Sequence, residues 1–307
     1  MNNFYALLHS IESLVDSGLY EEALAVIDAN LTHFPSRSEE ILECAYDVAQ
    51  KNPDKSRYAQ YQKRFFHFDI KPGDKVLDMG SGHIPFPSAT HLADISVTDH
   101  HAGRAGIPFK YQGDKPVFEC DVERTPFADK EFDFVYCSHV LEHAKNPEAA
   151  CRELIRIGKR GYIECPTRGK DVFFNTASFS NHLWAVECVN GVLSFVEYAD
   201  KDALDTGCTV LLDMNCRPRN RREKCIAALD VLRADRFNVM LLWENSFAYE
   251  VRRKAPWPAS VQGPTAGTSS ASHAPDATLP SPVWLLRKKT SRFLKKLRSK
   301  LVRILEH

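Results

Sequence analysis

Val76-Leu77-Asp78-Met79-Gly80-Ser81-Gly82 decides the fold. A short apolar run enters an acidic residue and then two glycines one residue apart. A doubly wound α/β domain builds a nucleotide-sized crevice in this way, at the end of its first strand. The glycines let backbone approach a ligand where a Cβ would collide. The residues beyond them narrow the ligand. A dinucleotide fingerprint needs G-x-G-x-x-G, and the third glycine position holds Pro85. Proline has no N–H and cannot give the close helix–strand packing that motif uses. No Lys-Ser/Thr pair follows, so a phosphate-cradling P-loop is excluded as well.

Further along stand Cys120-Asp121-Val122-Glu123-Arg124-Thr125-Pro126-Phe127-Ala128-Asp129, then Phe132-Asp133-Phe134-Val135, then Leu141-Glu142-His143, then Glu153-Leu154, Arg156, Lys159 and Gly161. In order and spacing these resemble the class I S-adenosylmethionine (SAM) methyltransferases over residues 74–166. The resemblance implies a Rossmann-like sheet and SAM as cofactor. Gly80, Ser81 and Gly82 would form the loop against the methionine moiety, with Asp78 orienting it or meeting the amino group through water. An acid ending the second strand would take both ribose hydroxyls, since a carboxylate accepts two hydrogen bonds at once. Asp94 ends His91-Leu92-Ala93-Asp94, and Asp99 ends Ser96-Val97-Thr98-Asp99. Asp99 has the more usual spacing from Asp78, but Pro85 and Pro87 leave little room for a full helix before residue 91, which favours Asp94. Asp121 with the Val122 amide would read the adenine; a helix cap is the structural alternative for Asp121. Ser138 and His139 would lie along the cofactor. Ile84 departs from the family, standing where many members have a third glycine.

Methyl transfer is an in-line displacement on a sulfonium. The enzyme positions the partners, and removes a proton when the nucleophile is a hydroxyl. Histidine suits that task. His139, at the expected start of a helix beside the cleft, and His182, just before Trp184, are the candidate bases; His143 is expected to cap or pack. Glu164 and Thr167-Arg168 close the fifth strand, and Arg168 or Lys170 suits an anionic substrate. For each of these residues alone a structural role competes with the catalytic one. The Pro-Phe-Pro turn, Cys-Ser-His-Val-Leu-Glu-His and Gly-Lys-Arg-Gly-Tyr-Ile-Glu resemble a bacterial subgroup associated with surface-polysaccharide or glycolipid assembly. A hydroxyl of a sugar or other small acceptor is therefore the expected methyl acceptor. A quinone, an amine or RNA is the alternative within the class, and a SAM-fold scaffold without activity the alternative outside it. Without a second fingerprint, a nicotinamide dehydrogenase is disfavoured.

The 307 residues suffice for one or two cores. No apolar run approaches the ~18 residues of a spanning helix, and no basic-then-apolar leader opens the chain. Nine scattered cysteines without a C-x-x-C pair read as reduced, cytosolic thiols. Cys137, His139 and His143 lie close in sequence but read as a strand end and one helical face, so no metal is expected. The zero net charge hides an asymmetry: residues 283–307 carry +8 and the rest −8. The acidic body argues against nucleic acid as a partner.

Four domains or segments follow. Residues 1–60 show three helical faces, with Leu7, Ile11 and Leu14 on the first. Gly18, Tyr20, Ala23, Ile27 and Pro35 resemble one tetratricopeptide repeat, and one repeat cannot bury its own face. A helical cap on the catalytic domain is expected, with protein docking as the sharper reading. Residues 61–254 alternate strand and helix signals, as a parallel sheet requires. Within them, Asn190-Gly191 between two β-rich runs at 183–198 is a strong hairpin signal. Residues 255–282 read as a flexible linker. Residues 283–307 form a basic amphipathic pattern suited to peripheral contact with an inner membrane face, to docking on the chain's own acidic body, or to phosphates.

Overall fold

The computed structural model describes residues 2–99, 104, 106–176, 181–198, 205 and 207–253, which fall within one compact unit. The linker at 255–282 and the basic helix at 283–307 lie outside the described residues.

Apolar runs bounded by turns give buried parallel strands, because both faces of such a sheet are covered. β1 (Val76–Met79), β2 (His91–Asp94), β3 (Val117–Glu119), β4 (Phe134–Ser138) and β5 (Arg160–Pro166) pair in the order β3-β2-β1-β4-β5, all parallel. β8 (Asn238–Glu244) closes the far edge antiparallel to β5, from Arg160 opposite Glu244 to Pro166 opposite Asn238. The strand order reverses between β1 and β4, so the crevice opens at their carboxyl ends. The Rossmann-like α/β expectation is met.

Alternation along the strands sends two sets of residues to two cores. Leu77, Met79, Val135, Cys137, Ile163 and Cys165 meet α5 (Pro147–Ile157) on one face. Val76, Phe134, Tyr136 and Tyr162 meet Phe68 and Phe86 on the other. Asn146 caps α5 by accepting from the Ala149 amide. The connections differ from those of a fully wound sheet. Among the described residues no helix joins β1 to β2 or β2 to β3; Pro85 and Pro87 end the first connection as a turn. The vacated face is covered from the N-terminal side, by a π-helical turn at Tyr58–Gln62 that runs into a helical turn, α4 (Lys63–Phe65).

The hairpin expected at 183–198 forms as β6 (Trp184–Val189) and β7 (Val192–Glu197). Asn190 and Gly191 both have positive φ, as a type I′ turn demands. β9 (Ala248–Arg252) adds to β7 in parallel, so only β8 of the last two strands joins the main sheet. Helices α1 (Asn2–Asp16), α2 (Tyr20–Asn30) and α3 (Ser38–Lys51) share a core with Ala228 and Leu232 of a later helix, Arg221–Leu232. Shorter helices lie at Arg168–Phe173 (α6), Val210–Cys216 (α7) and Ala234–Phe237 (α9), with Arg221–Leu232 as α8 between the last two. No helix among the described residues is long and apolar enough to cross a membrane.

Candidate active site

Of the residues singled out in the sequence, Asp78, Gly80, Ser81, Gly82, Asp94, Asp121, Ser138 and His139 lie at the carboxyl ends of β1 to β4. Gly80 (φ +78°) and Gly82 (φ +55°) both occupy the left-handed region. A Cβ on Gly80 would stand 2.1 Å from Val140 Cγ2, so this glycine is also a close approach between the β1 and β4 loops. The Gly80 and Ser81 amides donate to the Ala93 carbonyl, which ties the loop to β2. Asp78 is buried at the end of β1 and accepts from the Phe86 amide at 2.7 Å, bracing the Pro-Phe-Pro turn. Burial pushes its carboxyl up to about 7, against the hydrogen bond from Phe86.

β2 stops at Asp94, while Ser96 to Asp99 form a bend rather than more strand. Ser96–Asp99, the alternative strand end, does not extend β2: Ser96 and Thr98 turn back on one another and the Val97 amide donates to the Glu119 carboxylate. Asp94 is almost fully enclosed. It accepts from the Gly82 amide at 2.9 Å and pairs with Arg104 at 3.0 Å. Arg104 also donates to the Asp99 carbonyl and stacks over Phe109. No sequence signal marked Arg104, because its partner lies across an irregular loop. The Asp121 side chain is exposed in a tight turn after β3, accepting from the Glu123 amide, and Val122 is buried beside it.

Ser138 and His139 end β4, but His139 does not start a helix. It takes a left-handed conformation (φ +58°), and only a 3₁₀ turn, Leu141–His143, follows. His139 sits between two fully buried carboxylates: its Nε2 is 3.1 Å from Glu164 Oε1 and its Nδ1 3.4 Å from Glu142 Oε1. Glu164 further accepts from Tyr61 (2.7 Å), Gln62 (2.9 Å), Tyr162 (2.6 Å) and Ser138 (3.3 Å). Burial alone would raise its carboxyl; His139 and the hydroxyl donors outweigh it and hold it down to about 2. Glu142 is likewise opposed by burial and held at about 2 by His139, His143 and His182. With both ring nitrogens facing carboxylates, His139 is placed to lock the ends of β4 and β5 together.

His182 arrives from the other side. The Leu183 amide donates to the Glu142 carbonyl at 2.7 Å and Trp184 Nε1 to the Ala144 carbonyl at 2.6 Å, fastening the start of β6 onto the 3₁₀ turn. The buried Asp171 of α6 stands 3.0 and 3.1 Å from His182 Nδ1 and accepts from Tyr198 and Thr176. Lys170 is engaged by Asp230, whereas the Arg168 side chain is exposed. Sequence reasoning missed Asp171, Glu142, Tyr61, Gln62 and Arg57. Arg57 acts electrostatically on Asp78 and His83 and is acted on by Glu164 and Glu142.

Residues 77–163 match the sequence model of the methyltransferase-domain family. The match is to a methyltransferase domain and covers under a third of the chain. A sterol 24-C-methyltransferase of Gibberella zeae is 36% identical over 103 residues, 31% of this chain and 27% of that protein. The ubiquinone/menaquinone biosynthesis C-methyltransferase UbiE of Xanthomonas oryzae pv. oryzae is 30% identical over 118 residues, 32% of this chain and 44% of its own. The chain thus spans between about a quarter and under half of the curated relatives it matches. A SAM-dependent methyltransferase structure from Aquifex aeolicus aligns at 20% identity and a TM-score of 0.26, over 40% of this chain and 73% of that one. The site fits the cofactor on its own terms: the left-handed glycines keep the loop free of side chains, and the buried Ser81 hydroxyl lies beside the Asp78 carboxyl beneath it.

Proposed function

We propose that the protein transfers the methyl group of SAM to an acceptor hydroxyl, on a sugar or glycolipid-type small acceptor. One observation carries the reading. Two histidine–carboxylate assemblies, Glu142–His139–Glu164 and Asp171–His182, converge at the ends of β4 and β5. An oxygen nucleophile sheds a proton during methyl transfer, and a histidine held by a buried carboxylate handles it. His182 has that role, with Asp171 fixing its ring; His139 positions the β4 and β5 ends. For the cofactor, Gly80, Ser81 and Gly82 form the cradle, Asp94 faces the ribose, Asp121 and Val122 the adenine, and Ser138 the middle of the molecule. Arg57 supplies the cation for the methionine carboxylate. The basic segment 283–307 would keep the enzyme at an anionic membrane face, close to lipid-linked sugars.

A carbon acceptor, as the names of the sterol and quinone relatives imply, is the second reading. It is carried by relatives that match under a third of the chain. The experiment is calorimetric titration with SAM and S-adenosylhomocysteine, followed by transfer of labelled methyl to lipid-linked sugars, quinones and sterols. Micromolar binding lost in Asp121→Ala, with label on a sugar hydroxyl, supports the proposal. No binding to the wild type ends the enzyme reading, and label on carbon only ends the hydroxyl reading.

A further inference from the structure

Glu142, His143 and His182 offer one carboxylate oxygen and two imidazole nitrogens, all within 4.8 Å of one another. The Glu142 side chain is completely buried, and its carboxylate faces His139, His143 and the Cys165 thiol. A buried carboxylate in that condition is costly unless a charge meets it. His139 Nδ1 approaches Oε1 to 3.4 Å and His143 Nε2 to 3.8 Å.

Both histidines are oriented from behind. His143 Nδ1 is 3.2 Å from the Asn181 carbonyl, which must accept, so Nδ1 carries the proton and Nε2 the lone pair. His182 Nδ1 faces the Asp171 carboxylate, which fixes the same tautomer. Carbonyl or carboxylate behind the ring is how metal-ligating histidines are held. The side chains of His143 and His182 remain 24% and 14% exposed, so the cluster has a way in from solvent.

We infer that Glu142, His143 and His182 bind a divalent first-row transition cation through one oxygen and two nitrogens, with open positions for an oxygen ligand. Mixed N/O donors suit manganese, iron, cobalt or zinc over magnesium or calcium. Cys137, the thiol nearest in sequence, is buried in the apolar core and takes no part.

The cation's part in the reaction rests on the hydroxyl-methylation reading. A bound cation acidifies an oxygen coordinated to it. The acceptor hydroxyl would lose its proton to water, and its oxygen lone pair would form the C–O bond. The C–S bond breaks at the same time, leaving its electron pair on the sulfur of S-adenosylhomocysteine. His182 is then a ligand that holds the cation, and water takes the proton in place of the direct role given to this histidine above.

The test uses the full chain, stripped with EDTA and titrated with MnCl₂ alone, with free Mn²⁺ counted by electron paramagnetic resonance. Thiols bind Mn²⁺ poorly, which removes the nine cysteines as competitors. The expected result is one Mn²⁺ per chain, an affinity at least ~100-fold weaker in Glu142→Gln and His182→Gln, and ~10-fold weaker in Asp171→Asn. Exposed His33→Gln leaves it unchanged. No binding to the wild type, or binding that survives both ligand substitutions, overturns the inference. Should either variant fail to fold, Co²⁺ added to the wild type decides. Visible d–d bands without thiolate charge transfer support the site; their absence, or thiolate charge transfer, overturns it. SAM calorimetry on the stripped protein separates the two proposals. SAM binding without Mn²⁺ binding leaves the methyltransferase reading and removes the cation; Mn²⁺ binding without SAM binding does the reverse.

Discussion

At the residue scale, Gly80 and Asp78 carry different loads within the same loop. Gly80 needs both its φ and its missing Cβ, since Val140 would collide with any side chain. Gly82 needs mainly its φ, because a Cβ there meets only Arg104 at 3.7 Å. Gly82→Ala should cost about 1–2 kcal/mol of left-handed strain. Gly80→Ala should cost more and abolish SAM binding, which thermal melting and calorimetry on the two variants will separate. Asp78 sets a pH dependence. Its carboxyl moves from an ordinary value of 3.8 to about 7 on burial. Between those values the native state holds a proton the unfolded chain has released, so this group costs stability as pH rises through that window. Asp78→Asn should match the wild type near pH 4 and exceed it near pH 8, by an amount on the order of 1.4 kcal/mol per pH unit of the shift. Chemical denaturation at the two pH values tests it, and an equal difference at both would refute the assignment.

At the scale of elements, strands and turns were legible and the site only half so. β1, β2, β4, α5 and the Asn190-Gly191 hairpin fall where periodicity and turn chemistry place them. These signals are local: alternation, a proline at N1, a glycine with positive φ. The helix at His139 was misread because His-Val-Leu-Glu-His has helical spacing, while the close approach of Val140 to Gly80 leaves room only for a 3₁₀ turn. Asp171 and Glu142 escaped because the pairing with His182 is made by α6 and β6 folding back, and no spacing along the chain reports it. The hairpin is therefore a site element as well as a cover. Trp184 Nε1 holds the Ala144 carbonyl, two residues from His182. Trp184→Phe should keep the packing, lose that bond at a cost of about 1–2 kcal/mol, and raise KM for the acceptor more than that for SAM. Steady-state kinetics on both substrates is the check, and equal effects on both would show that the hairpin does not shape the acceptor side.

At the scale of the whole molecule, the match to the methyltransferase family covers residues 77–163, and the site does not close within it. Tyr61 and Gln62, from the π-helical turn before β1, supply two of the donors that surround Glu164, and Gln62 also bonds Tyr136. That turn covers the face left bare by the missing β1–β2 helix, and α1 to α3 pack in turn on α8, which precedes β8. The N-terminal helices and the edge of the sheet therefore stabilise one another. Removing two hydrogen-bond donors from a buried carboxylate costs about 1.5–3 kcal/mol each. A Tyr61→Phe, Gln62→Leu double variant should lose a few kcal/mol and weaken SAM binding, although neither residue lies in the matched span. Deleting residues 1–57 should expose Ala228 and Leu232 and cost still more, leaving a protein that unfolds at a lower temperature or fails to accumulate. A truncated chain that melted with the full-length one would show that the helices are a separable appendage, and that the family span carries the site by itself.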